Sequence, residues 1–312
     1  MANTLQYAQI FQSELDKAAV HDLLTGWMDG NSGKVKYNGG KEVKIPQLTV
    51  DGLGDYDRGS AGGYAGGDIQ FTYKTYEMTQ DRGRKFSIDA MDVDETGFVV
   101  IAGNVMGEFQ RTKVIPEIDA YRLSMLATKA MGITGDKNVT YSYSVAAASI
   151  LENIKLGIKV VRENGYNGQL IIHATYDCVN ALEMALSNKL SSVTFSQGGI
   201  NTQVPSVDNC PIIPTPSNRM YSAITLYDGI TSGQTKGGYV KGVSALDVNF
   251  IIVPKDVPIA VTKQDLMRIF DPSTNQQANA WAMDYRRYHD MWVLDNKLNS
   301  IYVNIKDSKP SV

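Results

Sequence analysis

The sequence predicts an α+β fold, and three patterns carry this prediction. Residues 69–76 alternate strictly between apolar and polar side chains, which indicates a strand. Across 98–125, apolar residues recur every three or four positions, which indicates a long helix. Beyond Gly132, buried-strand and helix patterns alternate, as in an α/β layer. The chain has 312 residues, enough to bury a large core in one or two domains.

The chain begins with a predicted amphipathic helix. Leu5, Ala8, Leu15 and Leu23 approximate one helical face, and Gly26 ends it. A helix with such a face needs a surface to pack on, either on its own chain or on a neighbour.

A long hairpin is predicted next. In its first strand, Val43 and Ile45 share one face while Leu48 and Val50 share the other. This one-residue shift beside Pro46 predicts an edge strand with a β-bulge. The alternating strand at 69–76 forms the second arm. Because an isolated two-stranded hairpin is marginal in water, it should lie against another subunit or another part of the chain.

Glycines are concentrated between these two strands. Seven of the 28 glycines fall within 51–68, and they cannot form the interior of a helix or strand, because glycine loses the most backbone freedom on ordering. A nucleotide-binding loop is not expected, because the segment lacks Gly-Lys-Ser/Thr and no helix follows it. We therefore predict a hairpin tip that includes Gly52, Gly54, Tyr56, Arg58, Gly62, Gly63, Tyr64, Gly66 and Gly67.

A short strand over 84–90 leads into the long helix, which would serve as a structural spine. Pro116 should kink this helix or start a new one, because proline lacks the N–H and clashes with the preceding turn. If both halves run on, the element is roughly 50 Å long. The expected core face of the helix consists of Phe98, Ile101, Val105, Phe109, Ile118, Tyr121 and Met125.

The second half of the chain predicts alternating helices and strands. In order, we predict a helix over 150–164, a buried strand over 168–175, a helix over 175–190, a proline-rich buried turn beside a short strand over 207–220, a glycine-punctuated loop over 227–242 and a buried strand over 248–254. The tail predicts a short helix over 263–269 and then a closing hairpin of 285–294 with 300–305.

Composition excludes several classes of protein. With a net charge of −3 and no basic tail, sequence-independent affinity for nucleic acid should be weak, since that affinity comes from Lys and Arg displacing counterions. Two cysteines give no disulfide framework. No apolar stretch approaches the ~20 residues that span a bilayer, and the first residues match neither a signal peptide nor a transit peptide. No membrane association is expected.

Each candidate chemical site has a plainer structural interpretation. Residues 92–103 begin like a calcium loop, but the twelfth position is glycine where a bidentate Glu is required. His173 and Cys178 could form a nucleophile pair, yet they fall in a buried-looking strand and an apolar helix turn. The aromatic residues of 281–292 favour packing over base stacking. We predict no catalytic residue, no metal site and no cofactor, and a protein that is not an enzyme.

Five segments in a shared order carry a resemblance to a known family. They are TYEMTQDRGRKFSIDAMDVDETGF, FQRTKVIPEIDAYRLSMLA, VDNCPIIPTPSNRM, VNFIIVPKDVPIAVTKQDLMRIFDPSTN and YRRYHDMWVLDNKLNSIYV. With the order of elements around them, these segments resemble the HK97-like major capsid proteins of tailed bacteriophages.

The resemblance implies a division of the chain into five parts. These are an N-terminal arm (1–40), an extended E-loop hairpin (41–80), a P-domain strand and spine helix (81–135), an α/β A-domain (136–258) and a return to the P-domain with a closing β-hairpin (259–312). It also implies an axial loop of the A-domain, near the axis of a subunit ring, that contains Tyr227, Gly229, Gly233, Lys236, Gly237 and Gly238.

The function that the resemblance implies is that of a major capsid protein. Copies would assemble into the pentamers and hexamers of an icosahedral shell that encloses double-stranded DNA without sequence-specific binding. Assembly would take place in the cytoplasm of a bacterial host and would involve a portal. Because the chain starts almost at the arm, without the long extension of members with a fused scaffold, we expect a separate scaffolding protein or prior cleavage. Tip glycines would let the hairpin adjust to non-equivalent neighbours.

One departure from the family and two alternatives remain. Members that crosslink their shells use a Lys on the E-loop, and none occurs between Lys44 and Lys74, so this crosslink is not expected. An encapsulin-type nanocompartment, whose shell encloses a cargo enzyme, would share the fold. A hydrolase or transferase that uses His173 and Cys178 is a more remote alternative.

Overall fold

The computed structural model describes residues 23–37, 40–59, 62–91, 105–186, 191–197 and 200–310. Most of the predicted N-terminal helix lies outside these ranges, as do the spine residues Phe98 and Ile101 and the acidic stretch that begins like a calcium loop. The described chain mixes helices and strands, so the α+β prediction is confirmed.

The strands and helices have the following bounds. Strands are β1 (Lys36–Tyr37), β2 (Glu42–Val50), β3 (Ile69–Glu77), β4 (Gln80–Asp89), β5 (Val139–Thr140), β6 (Leu170–Thr175), β7 (Ser191–Gln197), β8 (Ile200–Val207), β9 (Cys210–Thr215), β10 (Ile224–Leu226), β11 (Tyr239–Lys241), β12 (Val248–Pro254), β13 (Pro258–Phe270), β14 (Ala280–Val293) and β15 (Tyr302–Ile305). Helices are α1 (Ile115–Met131), α2 (Ile150–Glu163) and α3 (Tyr176–Leu186), and 3₁₀ turns cover Gly26–Lys34, Ser217–Arg219 and Asp295–Ser300.

The predicted hairpin is a three-stranded antiparallel ribbon in the order β1-β2-β3. Its two long strands pair in one unbroken register from Glu42 opposite Glu77 to Val50 opposite Ile69. The predicted bulge at Pro46 is therefore wrong. Pro46 lies beyond the part of β2 that pairs with β1, so its missing N–H costs the ribbon no ladder hydrogen bond on that side.

A second antiparallel sheet, in the order β13-β14-β4, supports the ribbon. The helix predicted over 263–269 is wrong, because these residues form part of β13 and pair with β14 as far as Phe270. Pairing with the 14-residue strand β14 favours the extended conformation more strongly than the apolar spacing of this short segment favours a helix, because intrinsic helix preference is weak.

The predicted closing hairpin is also wrong. Its first strand, β14, lies between β13 and β4, whereas its second strand, β15, lies between β12 and β5 in another sheet. The 3₁₀ turn at Asp295–Ser300 separates β14 from β15. The prediction that both segments are strands is correct. However, two strands joined by a short connection need not pair with each other.

The spine helix passes through a π-helical turn at Gln110–Val114 just before Pro116. Helical residues extend from 105 to 131, about 40 Å at 1.5 Å per residue. The backbone N–H of Ile115 reaches the carbonyl of Gln110, five residues back. This wider turn brings the chain to Pro116 without ending the helix, so of the two predicted outcomes, a kink or a new helix, a separate helix does not form.

The largest sheet has seven strands in the order β5-β15-β12-β6-β9-β8-β7. One face packs against α1 through residues such as Leu123, Ile171 and Ile251. The opposite face packs against α2 and α3, with Ile154 and Phe250 at its centre. Helices on both faces explain why β6 and β12 are buried along their whole length.

Candidate inter-subunit surface

The base of the hairpin packs on its own chain. Val43 and Ile45 are fully buried in a cluster with Ile259, Val261 and Trp292 of the supporting sheet. Where the strands leave this cluster, Lys74 of β3 forms an ion pair and hydrogen bond with Asp295. That hydrogen bond is the largest cause of the raised pKa of Lys74. The base therefore has a defined position on the body of the subunit.

Beyond Pro46 the hairpin presents a second apolar face. Leu48 pairs with Phe71 and Val50 with Ile69, so these four side chains lie on one side of the ribbon, together with Tyr73. Their exposed fractions are 57% for Leu48, 59% for Val50, 71% for Ile69, 57% for Phe71 and 43% for Tyr73. We call these five residues the outer face. At Pro46 the apolar side chains thus pass from the face that packs on the body to the opposite, exposed face, and no bulge accompanies the change.

The described residues of the hairpin tip, 51–59 and 62–68, have a specific fold. The amide of Asp57 donates to the carbonyl of Gly63 at 2.8 Å, and the rings of Tyr56 and Tyr64 meet edge to face at 4.9 Å. Gly63 has φ +66°, and a Cβ there would lie 2.4 Å from the Tyr56 ring. Only glycine fits this position, so part of the glycine content serves close packing. Most described tip residues are exposed.

Five of the seven predicted spine residues lie in the described part of the chain, and they are buried to different degrees. Ile118 and Tyr121 are buried, while Val105, Phe109 and Met125 are half-buried. Tyr121 donates a hydrogen bond to Asp290 Oδ1 at 2.7 Å. Burial, followed by the charge of Asp290, raises the pKa of Tyr121, so the phenol stays protonated.

A buried ionic network on the spine was missed by the sequence analysis. The Asp119 carboxylate, fully buried, accepts hydrogen bonds from the amide and hydroxyl of Thr25 and from Arg219. One turn on, the fully buried Arg122 donates to the carbonyl of Thr25 and to both carboxylate oxygens of Asp29. Burial raises the pKa of Asp119, and the Thr25 hydrogen bonds and Arg219 oppose that rise. The sequence signal that could have identified this network is the presence of Asp119 and Arg122 within an otherwise apolar stripe of the helix.

The predicted axial loop lies against β4. Arg82 donates to the carbonyls of Tyr227 and Gly238, and Arg84 donates to that of Thr235. Arg82 also forms a bidentate pair with Glu117 at the start of α1. These bonds tie the loop to the spine and the second sheet. Its position near a ring axis stays a prediction.

His173 and Cys178 are placed for packing and not for chemistry. His173 is fully buried, accepts a hydrogen bond from Trp27 Nε1 at 3.1 Å, and has a pKa lowered to about 3 by burial. Burial raises the pKa of Cys178 to about 11, and its thiol contacts the carbonyl of Asn249. A thiol with that pKa is not a thiolate at neutral pH, so the geometry offers no nucleophile here.

Other chemistry gains no support in the described part of the chain. No group of three or more His, Cys, Asp or Glu side chains that could hold a metal ion occurs there. Among the described helices, none is both long enough and apolar enough to cross a membrane.

The buried His173 predicts acid sensitivity. Its pKa is about 3 in the folded chain against an ordinary 6.5, so between these values the unfolded chain binds a proton that the folded chain does not. His173 alone should therefore lower the free energy of unfolding by about 1.4 kcal/mol for each pH unit below 6.5, whereas the raised pKa of Asp119 acts in the opposite direction. The lowered pKa of His289, caused first by burial, acts in the same direction as that of His173.

Urea unfolding of the subunit at pH values from 7.5 to 4.5 measures this slope. His173→Gln keeps an acceptor for Trp27 and should flatten the slope. An unchanged slope in His173→Gln would contradict the assignment.

Comparison with known proteins gives a match of fold. No protein-family model matches the sequence, and no curated protein matches it. A solved structure from Mycobacterium phage Che8 is similar to this chain, with a TM-score of 0.54, 14% identity and coverage of 87% of this chain and 86% of that one. The mature capsid of bacteriophage PhiM1 gives 0.54 and 13%, covering 86% and 82%. The capsid of cyanophage P-SCSP1u gives 0.55 and 10%, covering 88% and 86%.

Proposed function

The chain has the HK97-like fold of phage capsid proteins, and from that premise we propose that it is the subunit of a closed capsid shell. Copies of the chain form pentamers and hexamers, and the shell encloses double-stranded DNA in the virion. A portal and a separate scaffolding protein take part in assembly in the bacterial cytoplasm. The protein is a structural component and performs no catalysis.

One observation carries this proposal, namely the outer face of the hairpin. The base of the hairpin uses Val43 and Ile45 to pack on its own chain, and the outer face lies on the opposite side of the same ribbon. Beyond Pro46 both sides of the ribbon carry exposed residues, but the side that continues from Val43 and Ile45 is polar there, whereas the outer face is apolar. A second copy of the chain supplies the cover. Fully burying one such side chain contributes about 1.5–3 kcal/mol.

The contact made this way has the symmetry that a shell needs. A hairpin from one copy meets a different surface on the next, which is a heterologous contact, and such contacts close into rings when the rotation between copies permits. The net charge of −3 suits a wall that encloses DNA without gripping it.

The double variant Leu48→Ser/Phe71→Ser tests the outer face. Both side chains are more than half exposed in the subunit, so its thermal unfolding should not change. Loss of two apolar side chains from every contact should weaken each contact by about a hundredfold or more. Sedimentation and electron microscopy of the purified protein, with scaffold where required, should show particles for the parent chain and unassembled subunits for the variant.

Gln47→Ser/Thr72→Ser is the matched control, because these two residues pair with each other on the other side of the same ribbon. It should assemble as the parent chain does. Normal particles from Leu48→Ser/Phe71→Ser, or no particles from the parent chain at high concentration, would contradict the proposal. The contents of the particles separate two kinds of shell, since co-purifying DNA indicates a virion and a co-purifying enzyme indicates a nanocompartment.

A further inference from the structure

A cleft of about 990 Å³ lies between β4, the first turns of the spine and the loop 227–238. Cavities of roughly 300–1,000 Å³ with aromatic walls and a few polar groups are typical of sites for small molecules. The volume and the walls of this cleft therefore suit a small molecule that carries a ring. Its aromatic lining consists of Phe86, Phe109, Tyr227, Tyr239 and Tyr285.

Two buried side chains of β14 form the floor of the cleft, and each has a polar atom without a partner. Tyr285 is 5% exposed and His289 is 4% exposed. Neither the Tyr285 hydroxyl nor His289 Nδ1 has a hydrogen-bond partner within the described chain. Because a buried polar atom without a partner is unfavourable, a ligand that supplies the missing hydrogen bond gains affinity.

The floor is polar but uncharged near pH 7. Burial, followed by the charge of Asp265, raises the pKa of Tyr285, so the phenol keeps its proton. Burial, followed by the charge of Arg287, lowers the pKa of His289 well below its ordinary value, so the imidazole is neutral. The floor therefore suits neutral hydrogen-bonding groups of a ligand.

The carboxylates that line the cleft are already engaged. Glu117 pairs with Arg82, and Asp81 pairs with Arg286. The third carboxylate, that of Asp228, accepts hydrogen bonds from two backbone amides of its own loop. These bonds satisfy the anionic groups within the chain.

Three cations of the lining have no such partner. They are Arg84 on β4, Lys113 in the π-helical turn and Lys236 in the loop 227–238, and we call them the cationic rim. All three are exposed, and none has a carboxylate within 4 Å among the described residues. Arg84 also donates to the carbonyl of Thr235, which holds its guanidinium against the loop. Three cations from three different elements therefore surround one cleft, and together they suit a ligand group with several negative charges.

We propose that this cleft binds a nucleoside phosphate. The cationic rim binds the phosphates, the aromatic walls stack against the base, and Tyr285 and His289 form hydrogen bonds with neutral polar atoms of the base or sugar. A simple polyanion leaves the floor unsatisfied, and an uncharged ring leaves the rim unused, so the two parts together select this class of ligand. The inference goes beyond the proposed function and does not require assembly.

Calorimetric titration of the unassembled subunit with ATP at pH 7.5, with EDTA to remove metal ions, tests this inference. Inorganic triphosphate is the comparison, because it has the phosphates of ATP without the base and sugar. We expect ATP to bind about tenfold or more tightly than triphosphate, since only ATP reaches the floor and the aromatic walls.

Two variants assign the affinity to the two parts of the cleft. Lys113→Gln/Lys236→Gln should weaken the binding of both ATP and triphosphate about tenfold or more. Tyr285→Phe removes only an unpaired hydroxyl, so the melting temperature should not fall. This variant should weaken ATP binding about threefold or more and leave triphosphate binding unchanged. Lys129→Gln/Lys137→Gln is the matched control, because it removes two exposed lysines away from the cleft and should bind ATP as the parent does.

Several outcomes would overturn the inference. One is no binding of ATP to the parent chain. Another is equal affinity for ATP and triphosphate with no effect of Tyr285→Phe, which would make the cleft a simple polyanion site. A third is binding of a double-stranded DNA fragment that Lys113→Gln/Lys236→Gln abolishes and that ATP does not displace, which would make the cleft a DNA-binding surface. These measurements use the unassembled subunit, so they are separate from the particle counts that test the proposed function.

Discussion

A subunit in which residues 51–68 are replaced by Asn-Gly is expected to fold normally and to form no closed shells. Val50 and Ile69 are the last paired residues of the ribbon, and Asn-Gly is the preferred two-residue turn between such strands. The base of the hairpin keeps its packing on the supporting sheet, so thermal unfolding should match the parent. The tip contact is lost from every copy, and small errors in direction prevent a curved lattice from closing.

Size-exclusion chromatography and electron microscopy measure this outcome, and shells of normal size would contradict it. A graded version uses a matched pair of glycines. Gly63→Ala forces a Cβ against the Tyr56 ring and an unfavourable φ, whereas a Cβ at Gly62 meets nothing within 4 Å. We expect Gly63→Ala to reduce shell formation and Gly62→Ala to leave it unchanged.

Asp119→Ala is expected to lower the free energy of unfolding by about 3–5 kcal/mol, because it leaves the largely buried charge of Arg219 unpaired and two buried donors of Thr25 without an acceptor. Arg219 loses its carboxylate, and the amide and hydroxyl of Thr25 lose their acceptor. Within the range of 5–15 kcal/mol typical of globular domains, that loss removes a large share of the stability. Urea unfolding of the unassembled subunit at pH 7.5 measures it.

Glu163→Ala is the control, because it removes a solvent-exposed ion pair instead of a buried one. Glu163 pairs with Lys159 at 3.6 Å on the surface of α2, and both side chains are about two-thirds exposed. Its loss should cost less than about 1 kcal/mol. A loss for Asp119→Ala no larger than that of Glu163→Ala would show that the network contributes little to stability.

Elements whose buried residues recur in a regular pattern could be predicted from the sequence. The apolar stripe of α2 and the continuous apolar runs of β6 and β12 each match one structure, because helices cover both faces of that sheet. The alternation of β3 also identified a strand. However, most of its side chains are exposed, so alternation identifies the two faces of a strand but does not show whether either face is covered within the chain.

Errors arose where a distant partner decides the structure. Residues 263–269 have a weak helical spacing, yet they extend to pair with β14. The strands β14 and β15 are neighbours in sequence but join different sheets, since each pairs with strands far away along the chain. Asp119 and Arg122 were passed over because their partners Thr25, Asp29 and Arg219 lie more than 90 residues away. A single sequence does not show which residues far apart along the chain contact each other.

The pairing of β4 with β14 also dictates when the subunit becomes competent during synthesis. Strand β4 ends at Asp89, and its partner is complete only at Val293, so the sheet that fixes the hairpin base cannot close on a nascent chain. At about 5–20 residues per second, the ribosome needs roughly ten to forty seconds to make the intervening stretch. Throughout that interval the hairpin has no fixed direction. If the chain assembles as proposed, only a nearly finished chain presents the hairpin in the geometry that a neighbour can bind.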